Sequence, residues 1–404
     1  MCPHPGPTLI PPRGPHATGF SLANMAPPSD DDDSRFMRRA LRLAERGRGR
    51  THPNPMVGAV VARAGRVVGE GWHRAIGLDH AEVEALARAG ARARGATMYV
   101  TLEPCAHTGR TPPCVEALER AGIARCVVAL RDPHRIVNGR GIRSLRRAGI
   151  RVDVGVGADE ARDLLGGYWL AHTRRRPRVT WKVAATLDGR IADRAGRSRW
   201  ITGPEARAHG HRLRATADAV LIGSGTARAD DPRLTARAVG AARQPLRVVC
   251  DSALELPLTL RLFGAALARG TVVACGPSAP LRRRRALEAR GVTVWPLPLR
   301  AGRVSPAALA RRLAREGRYE VLLEGGATLG TAWLRAGLVD RVALFTAPRL
   351  LGADGLAWCG ALGVGSLRRA RAGRIVQQRR LGADGFLLVD LAAREPGVGM
   401  GSAG

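Results

Sequence analysis

His80 and Glu82, with one residue between them, are followed by Cys105, 23 residues after Glu82, and then by Cys114; a proline precedes each cysteine. A hydrolytic zinc ion takes three nitrogen or sulfur ligands, keeps one position open for water, and needs a carboxylate nearby that is not itself a ligand. His80, Cys105 and Cys114 suit the ligand roles, and Glu82 suits the proton shuttle. A lone His-x-Glu recurs by chance, and a buried cysteine is ordinarily a small hydrophobe. The order of the four residues, with the strand-like stretch 97–102 leading in, carries the zinc reading.

A second candidate stands alone. Of the 65 Lys plus Arg, Lys182 is the one lysine, so 64 are arginine. A compact amine that can lose its proton differs from a planar guanidinium that cannot. The bland alternative is that Lys182 survives by chance in a chain whose other lysines became arginine.

These residues need elements to hold them. Ser34 can cap a helix with Phe36, Ala40, Leu43 and Ala44 on one face. Stretches 57–62 and 67–72 read as strands around the turn at Ala64-Gly65, followed by a helix over 80–89. The strand ending at Leu102 comes next, then a helix over 113–121 and strands near 125–130 and 151–156, an alternating α/β layer. Cys114 then falls in a helix's first turn, where the positive end of the macrodipole favours a thiolate. His80 starts the other helix, so a metal here bridges two helix N-termini. The Arg174-Arg-Arg-Pro177 stretch reads as a solvated linker. Strands at 179–185, 219–222, 246–250, 271–274, 292–294, 320–323 and 341–345, mostly separated by helical segments, predict a largely parallel sheet. Glu324-Gly325-Gly326 follows a strand and precedes a helix, so its amides can meet a phosphate.

Composition bounds the rest. A 404-residue chain is long enough for two domains. The expected division is an N-terminal extension over 1–33, disordered or reflecting a start assigned too early with Met25 as another start, then domains over 34–173 and 179–392, a linker over 174–178 and a flexible tail over 393–404. No apolar run approaches the roughly 20 residues that span a bilayer, so no membrane role is expected. The seven cysteines are scattered without a disulfide framework, which predicts a reducing cytoplasm. The net charge of +31 would ordinarily point to nucleic acid. The arginines are spread along the whole chain, however, and aromatic residues make up only 4%, too few for a base-stacking platform. No nucleic-acid partner is expected.

The order His-x-Glu then Pro-Cys is that of the zinc nucleobase deaminases. Nucleic-acid and nucleoside members carry the second cysteine three positions after the first, whereas eight residues separate Cys105 from Cys114. That insertion resembles the bifunctional deaminase/reductase family of riboflavin biosynthesis. The resemblance extends to Thr51-His-Pro-Asn-Pro-Met-Val-Gly58, Thr101-Leu-Glu-Pro-Cys105, Asp132-Pro133, Gly139-Arg-Gly141, and Lys182-Val-Ala-Ala-Thr-Leu-Asp-Gly189, with Thr186 where the family often has serine. Ser198-Arg-Trp-Ile-Thr202, Gly223-Ser-Gly-Thr226, Asp230-Asp-Pro-Arg-Leu-Thr235 and Glu324-Gly-Gly-Ala-Thr-Leu329 follow the reductase pattern.

The resemblance implies an α/β fold: a cytidine-deaminase-like three-layer domain, then a domain similar to dihydrofolate reductase. It implies zinc and NADPH as cofactors and pyrimidine ribosyl phosphates as substrates. The first domain would deaminate 2,5-diamino-6-ribosylamino-4(3H)-pyrimidinone 5′-phosphate; the second would reduce the ribosyl chain of the deaminated product. By residue, it puts Asn54 at the deaminase substrate and Ala184, Trp200, Thr226, Gly325 and Gly326 near NADPH. Ser198, Arg214, Asp230, Leu234, Arg237 and Glu324 would face the reductase substrate, with Lys182 and Glu324 stabilising charge and moving protons. Arg214 and Arg237 suit a substrate phosphate, because guanidinium donors match phosphate oxygens in pairs. His134 stands where the family commonly has asparagine, and Arg110 where some members have lysine. A homo-oligomer is also expected. A tRNA or nucleoside deaminase stays open as the alternative; it predicts Cys-x-x-Cys and gives residues 175–390 no purpose.

Overall fold

The first helix in the computed structural model, which describes residues 32–108 and 112–391, is α1 (Asp32–Glu45), burying Phe36, Met37, Ala40, Leu43 and Ala44 on one stripe. Ser34 lies inside this helix instead of capping it. Asp32 and Asp33 occupy its first described turn, where carboxylates favour the positive end of the helix. Asp33 also accepts two hydrogen bonds from Arg125, at 2.8 and 2.6 Å, and one from the Tyr99 hydroxyl at 2.8 Å. The expected extension over 1–33 otherwise lies outside the described residues, as does the tail over 393–404.

Strands β1 (Gly58–Arg63), β2 (Arg66–Trp72), β3 (Thr97–Val100), β4 (Arg125–Val128) and β5 (Arg151–Val154) form one sheet in the order β2-β1-β3-β4-β5. β1 runs antiparallel to both its neighbours, and β3, β4 and β5 are parallel. Helices α2 (Ala81–Ala89), α3 (Cys114–Arg120) and α4 (Arg140–Arg147) cover one face, burying Ala81, Ala85, Leu118 and Leu145 against Val61, Met98 and Val128. α1 and α5 (Ala158–Leu164) cover the other, around Val60, Tyr99 and Val127. Three layers result, as expected. The short helices α4, α5 and α6 (Gly166–Arg174) were not foreseen.

The expected linker is short and clamped. Between the end of α6 and β6 (Arg178–Thr186), Arg176 makes a two-toothed contact with Asp340 at 2.8 and 2.7 Å. Arg178 forks onto Glu320 at 3.0 and 2.8 Å and donates to the Asp163 carbonyl at 2.7 Å. Arg176 and Arg178 thus join the two units, while Arg174 and Arg175 are exposed.

The second unit continues with β7 (Arg190–Ala192), α7 (Pro204–Thr216), β8 (Ala219–Gly223), α8 (Ser224–Asp230), β9 (Leu246–Cys250) and β10 (Thr271–Cys275). Next come α9 (Leu281–Glu288), β11 (Thr293–Pro296), the hairpin β12 (Leu299–Arg300) and β13 (Arg303–Val304), α10 (Pro306–Arg315), β14 (Glu320–Leu323) and α11 (Ala327–Arg335). β15 (Arg341–Ala347), β16 (Leu356–Ala357), β17 (Arg374–Leu381) and β18 (Asp384–Asp390) close it. Its nine-stranded sheet runs β11-β10-β9-β8-β14-β6-β15-β18-β17. The seven expected strands are parallel, and β18 and β17 add an antiparallel edge. Gly330 lets α11 lie on the sheet, since a Cβ there would sit 1.9 Å from the Trp181 ring.

Candidate active sites

His80 is the N-cap of α2, in extended backbone conformation, and Cys114 opens α3 after Pro113. The two helix starts face each other: the His80 Nδ1 atom lies 3.1 Å from Cys114 Sγ and 3.6 Å from Cys105 Sγ. Ligand atoms of all three residues lie within 4.8 Å of one another. Tetrahedral zinc, with bonds of about 2.0–2.3 Å, spaces its ligand atoms about 3.5–3.8 Å apart, so the set fits the ion. The three groups compete for protons. A hydrogen bond from Cys114 draws the Cys105 thiol down to about 4, the hydrogen bond with Cys105 raises His80 to about 8, and Cys105 together with burial pushes Cys114 up.

Glu82 lies in the first turn of α2 and is only 3% exposed. Burial pushes its carboxyl up, with His80 opposing, which suits a group that must take and return a proton. Asn54 reaches this site through His73: Asn54 Nδ2 lies 3.2 Å from His73 Nε2, and the His73 ring meets the His80 ring edge-on at 5.5 Å. His73 directly follows β2 and carries no signal in the sequence beyond that placement.

Glu103 is a second residue whose role the motif alone did not assign. Its buried carboxylate accepts amides from Asp132 at 3.1 Å, Gly139 at 2.8 Å and Ile142 at 3.1 Å. It thereby ties the 132–142 segment to the Pro104-Cys105 corner. Gly141 is required there, since a Cβ would lie 1.9 Å from the Pro104 carbonyl oxygen. Asp132, which burial pushes up to about 6, accepts from the Tyr168 hydroxyl at 3.0 Å. The His134 ring packs on His172 at 4.5 Å, and burial with His134 beside it pulls His172 down to about 4. Arg110 lies outside the described residues.

In the second unit a cleft of about 2060 Å³ brings together Lys182, Ala184, Ser198, Trp200, Arg214 and Thr226, and equally Asp230, Leu234, Arg237, Glu324, Gly325 and Gly326. β6 supplies Lys182 and Ala184; Glu324 directly follows β14; Gly326 is the N-cap of α11. Thr226 Oγ1 accepts from the Gly326 amide at 3.4 Å. Trp200 is 64% exposed and stacks under Arg207. Leu234 is buried with φ of 52°, and Arg199 donates to the Asp230 carbonyl at 2.6 Å.

One pairing differs from the expectation. Arg214 Nε and Nη2 both go to Glu324, at 2.6 and 2.7 Å, leaving less of the fork for a phosphate than the sequence implied. Burial alone would push Glu324 up, but Arg214 outweighs it and holds the carboxyl at about 2. Burial pulls the Lys182 amine down, with Glu324 opposing. His211, one turn before Arg214 on α7, was not foreseen; its Nδ1 lies 3.1 Å from the Thr235 carbonyl and 3.3 Å from the Arg237 amide.

Comparison with known proteins finds a match for each of the two units. Residues 30–130 match the family model for the cytidine and deoxycytidylate deaminase zinc-binding region, and residues 177–380 match the RibD C-terminal domain. The riboflavin biosynthesis protein RibD of Aquifex aeolicus is 42% identical over 352 residues, covering 87% of this chain and 96% of that one. RibD of Escherichia coli is 39% identical over 371 residues, with shares of 87% and 97%. Among solved structures, Acinetobacter baumannii RibD superposes with a TM-score of 0.80 at 38% identity over 89% of this chain and 98% of that one. A diaminohydroxyphosphoribosylaminopyrimidine deaminase/5-amino-6-(5-phosphoribosylamino)uracil reductase from Thermotoga maritima gives 0.75 at 33% identity, with the same shares. With two sites on two matching domains and relatives covered almost end to end, the chain belongs to the RibD family, the bifunctional deaminase/reductases of riboflavin biosynthesis that use zinc and NADPH.

Proposed function

We propose that the first site deaminates 2,5-diamino-6-ribosylamino-4(3H)-pyrimidinone 5′-phosphate and that the second reduces the ribosyl chain of the product to ribityl. The observation that carries this is the convergence of His80, Cys105, Cys114 and buried Glu82 at two helix starts, with a separate cleft around Lys182 and Glu324. Bound zinc makes water nucleophilic near neutral pH. Glu82 carries one proton from the attacking water to the ring nitrogen and then the proton of the added hydroxyl to the departing amino group, so that the carbonyl forms and ammonia leaves, while Asn54 orients the ring.

In the reductase, bound NADPH supplies the hydride. The start of α11, at Gly325 and Gly326, faces a cofactor phosphate, the Gly326 amide giving up its 3.4 Å contact with Thr226 Oγ1 for it, with Ala184, Trp200 and Thr226 lining the same cleft. Ser198, Asp230, Leu234 and Arg237 hold the substrate. Arg214 keeps Glu324 ionised, so Glu324 stabilises positive charge and the proton transfer falls to Lys182, whose amine burial makes easier to deprotonate.

We also place the reaction in the cytoplasm: all six described cysteines are free thiols, and no described helix is long and apolar enough to cross a membrane. A homo-oligomer is proposed on the exposed apolar side chains Leu350, Leu356 and Leu367 of the reductase unit; sedimentation tests it. The function itself is tested by incubating the zinc-loaded chain with the diaminopyrimidinone phosphate, with and without NADPH, and reading masses. The deaminated ribosyl compound is expected without NADPH and the ribityl compound with it. Recovery of unchanged substrate under both conditions overturns the assignment.

A further inference from the structure

Asn54 belongs to the deaminase unit, yet the turn that carries it is seated on the other one. Within the turn, the Asn54 amide donates to the Thr51 carbonyl at 2.8 Å. His52 points away across the junction. Its Nδ1 lies 3.0 Å from the Asp218 carboxylate, its Nε2 lies 3.0 Å from Arg318 Nη1, and its ring meets Tyr319 edge-on at 6.3 Å. Arg243 makes a second bridge, donating from Nε to the Gly49 carbonyl at 3.2 Å while its Nη2 pairs with the same Asp218.

Asp218 is well anchored in the reductase unit. It is 4% exposed, and its other oxygen accepts the Tyr319 and Glu320 amides at 2.8 Å each. Those amides, with Arg243, already meet the needs of a buried carboxylate. The contact with His52 is therefore not required to keep Asp218 satisfied, but it does fix the residue two positions before Asn54. On the other side of the turn Asn54 Nδ2 meets His73 beside the metal ligands. An ångström of drift in a substrate-positioning side chain is enough to lower its contribution severely.

We propose that His52, held by Asp218 and Arg243, is a latch between the two units that positions Asn54, so that residues of the reductase domain set substrate affinity at the deaminase site. The proposal rests on the substrate role assigned to Asn54 above. It makes His52, Asp218 and Arg243 positioning residues: none of them touches the substrate.

The test is steady-state deamination of the diaminopyrimidinone phosphate by the full-length, zinc-loaded chain, with NADPH oxidation on the deaminated substrate measured on the same samples. His52→Ala is expected to raise the deamination KM about tenfold with kcat within about twofold, the pattern of a lost binding interaction. Zinc content and reduction should stay at the parent's level. His52→Asn, which keeps an amide nitrogen facing Asp218, should recover most of the KM. Arg243→Ala, wholly within the reductase unit, should raise the same KM. Parent-like KM in both His52→Ala and Arg243→Ala overturns the latch, and so does an equal fall in both activities, which would mean a general loss of fold. Asn54→Ala separates the two readings. If it raises KM and His52→Ala does not, the latch alone fails; if it leaves KM unchanged, the role of Asn54 fails and the latch with it.

Discussion

Removing the Glu103 side chain should destabilise the deaminase unit without touching the reacting groups. The carboxylate is 4% exposed and accepts three buried backbone amides, from Asp132, Gly139 and Ile142. Hydrogen bonds to a charged group are worth about 1.5–3 kcal/mol each. In Glu103→Ala some of the orphaned amides would be met by water entering the vacated space, so about 4 kcal/mol for the three is a fair figure. That is a large part of a domain stability on the order of 5–15 kcal/mol. At roughly 3 °C per kcal/mol for a unit of this size, the first unfolding transition should fall by about 12 °C. Glu103→Gln keeps one oxygen, able to go on accepting two amides, but turns an NH₂ toward the third, so about half the loss is expected. The assay is scanning calorimetry of the zinc-loaded full chain, with reductase activity followed through the first transition. If Glu103→Ala melts within about 3 °C of the parent, the three amides are satisfied some other way and the clamp is wrongly assigned.

Other expectations follow from the same geometry. Glu82→Gln should retain zinc and lower deamination by a factor on the order of 100 or more; normal turnover would remove Glu82 from the proton path. Cys105→Ser and Cys114→Ser should each lose zinc and deamination, because a neutral hydroxyl replaces thiolate poorly, and elemental analysis showing one zinc per chain in both would exclude these ligands. Lys182→Arg keeps the charge but cannot lose a proton near neutral pH; NADPH oxidation should collapse while deamination stays at the parent's level, and full reduction would withdraw the role. Glu324, held at about 2, stabilises the fold above its unfolded value of about 4.3 and loses that contribution as pH falls toward 2. Acid unfolding of the reductase unit over that window should therefore be shallower in Glu324→Gln, and an identical acid limb would count against the Arg214 pairing.

The deaminase site was legible because its chemistry is local in sequence. His80 and Glu82 share the start of one helix, and the prolines before Cys105 and Cys114 mark a corner and a helix start. The seven parallel strands were legible for a similar reason, since strands buried on both faces are continuous apolar runs. What escaped were contacts made by residues far apart in the chain. Nothing near Arg214 announces that Glu324 takes its fork, and nothing near His52 announces Asp218. β17 was missed because its sequence, Arg-Ile-Val-Gln-Gln-Arg-Arg-Leu, is that of an exposed edge. Helix α4 carries five polar or charged residues in eight, burying only Gly141, Ile142 and Leu145. Nothing beside Pro177 announces that Arg176 and Arg178 meet Asp340 and Glu320, while Arg174 and Arg175 next to them are exposed.

The abundance of arginine and the single lysine can be understood together. Arg125 on Asp33 and Asp153, Arg176 on Asp340, Arg178 on Glu320 and Arg214 on Glu324 each spend two or more nitrogens of the fork on carboxylates. At such positions lysine would satisfy one oxygen and leave the other, so arginine is the better residue irrespective of genome composition. Lys182 faces the opposite demand. Its Nζ lies 5.6 Å from the centre of the Phe345 ring, and a Cβ on Gly210 would come within 3.9 Å of its Cε. A guanidinium there would bring a wider, permanently charged fork into a pocket already holding Arg214, with Glu324 occupied. Burial lowers the cost of the amine's losing a proton. The one lysine of the chain thus stands where the proposed chemistry asks for an amine that can give up its proton, which a guanidinium cannot do.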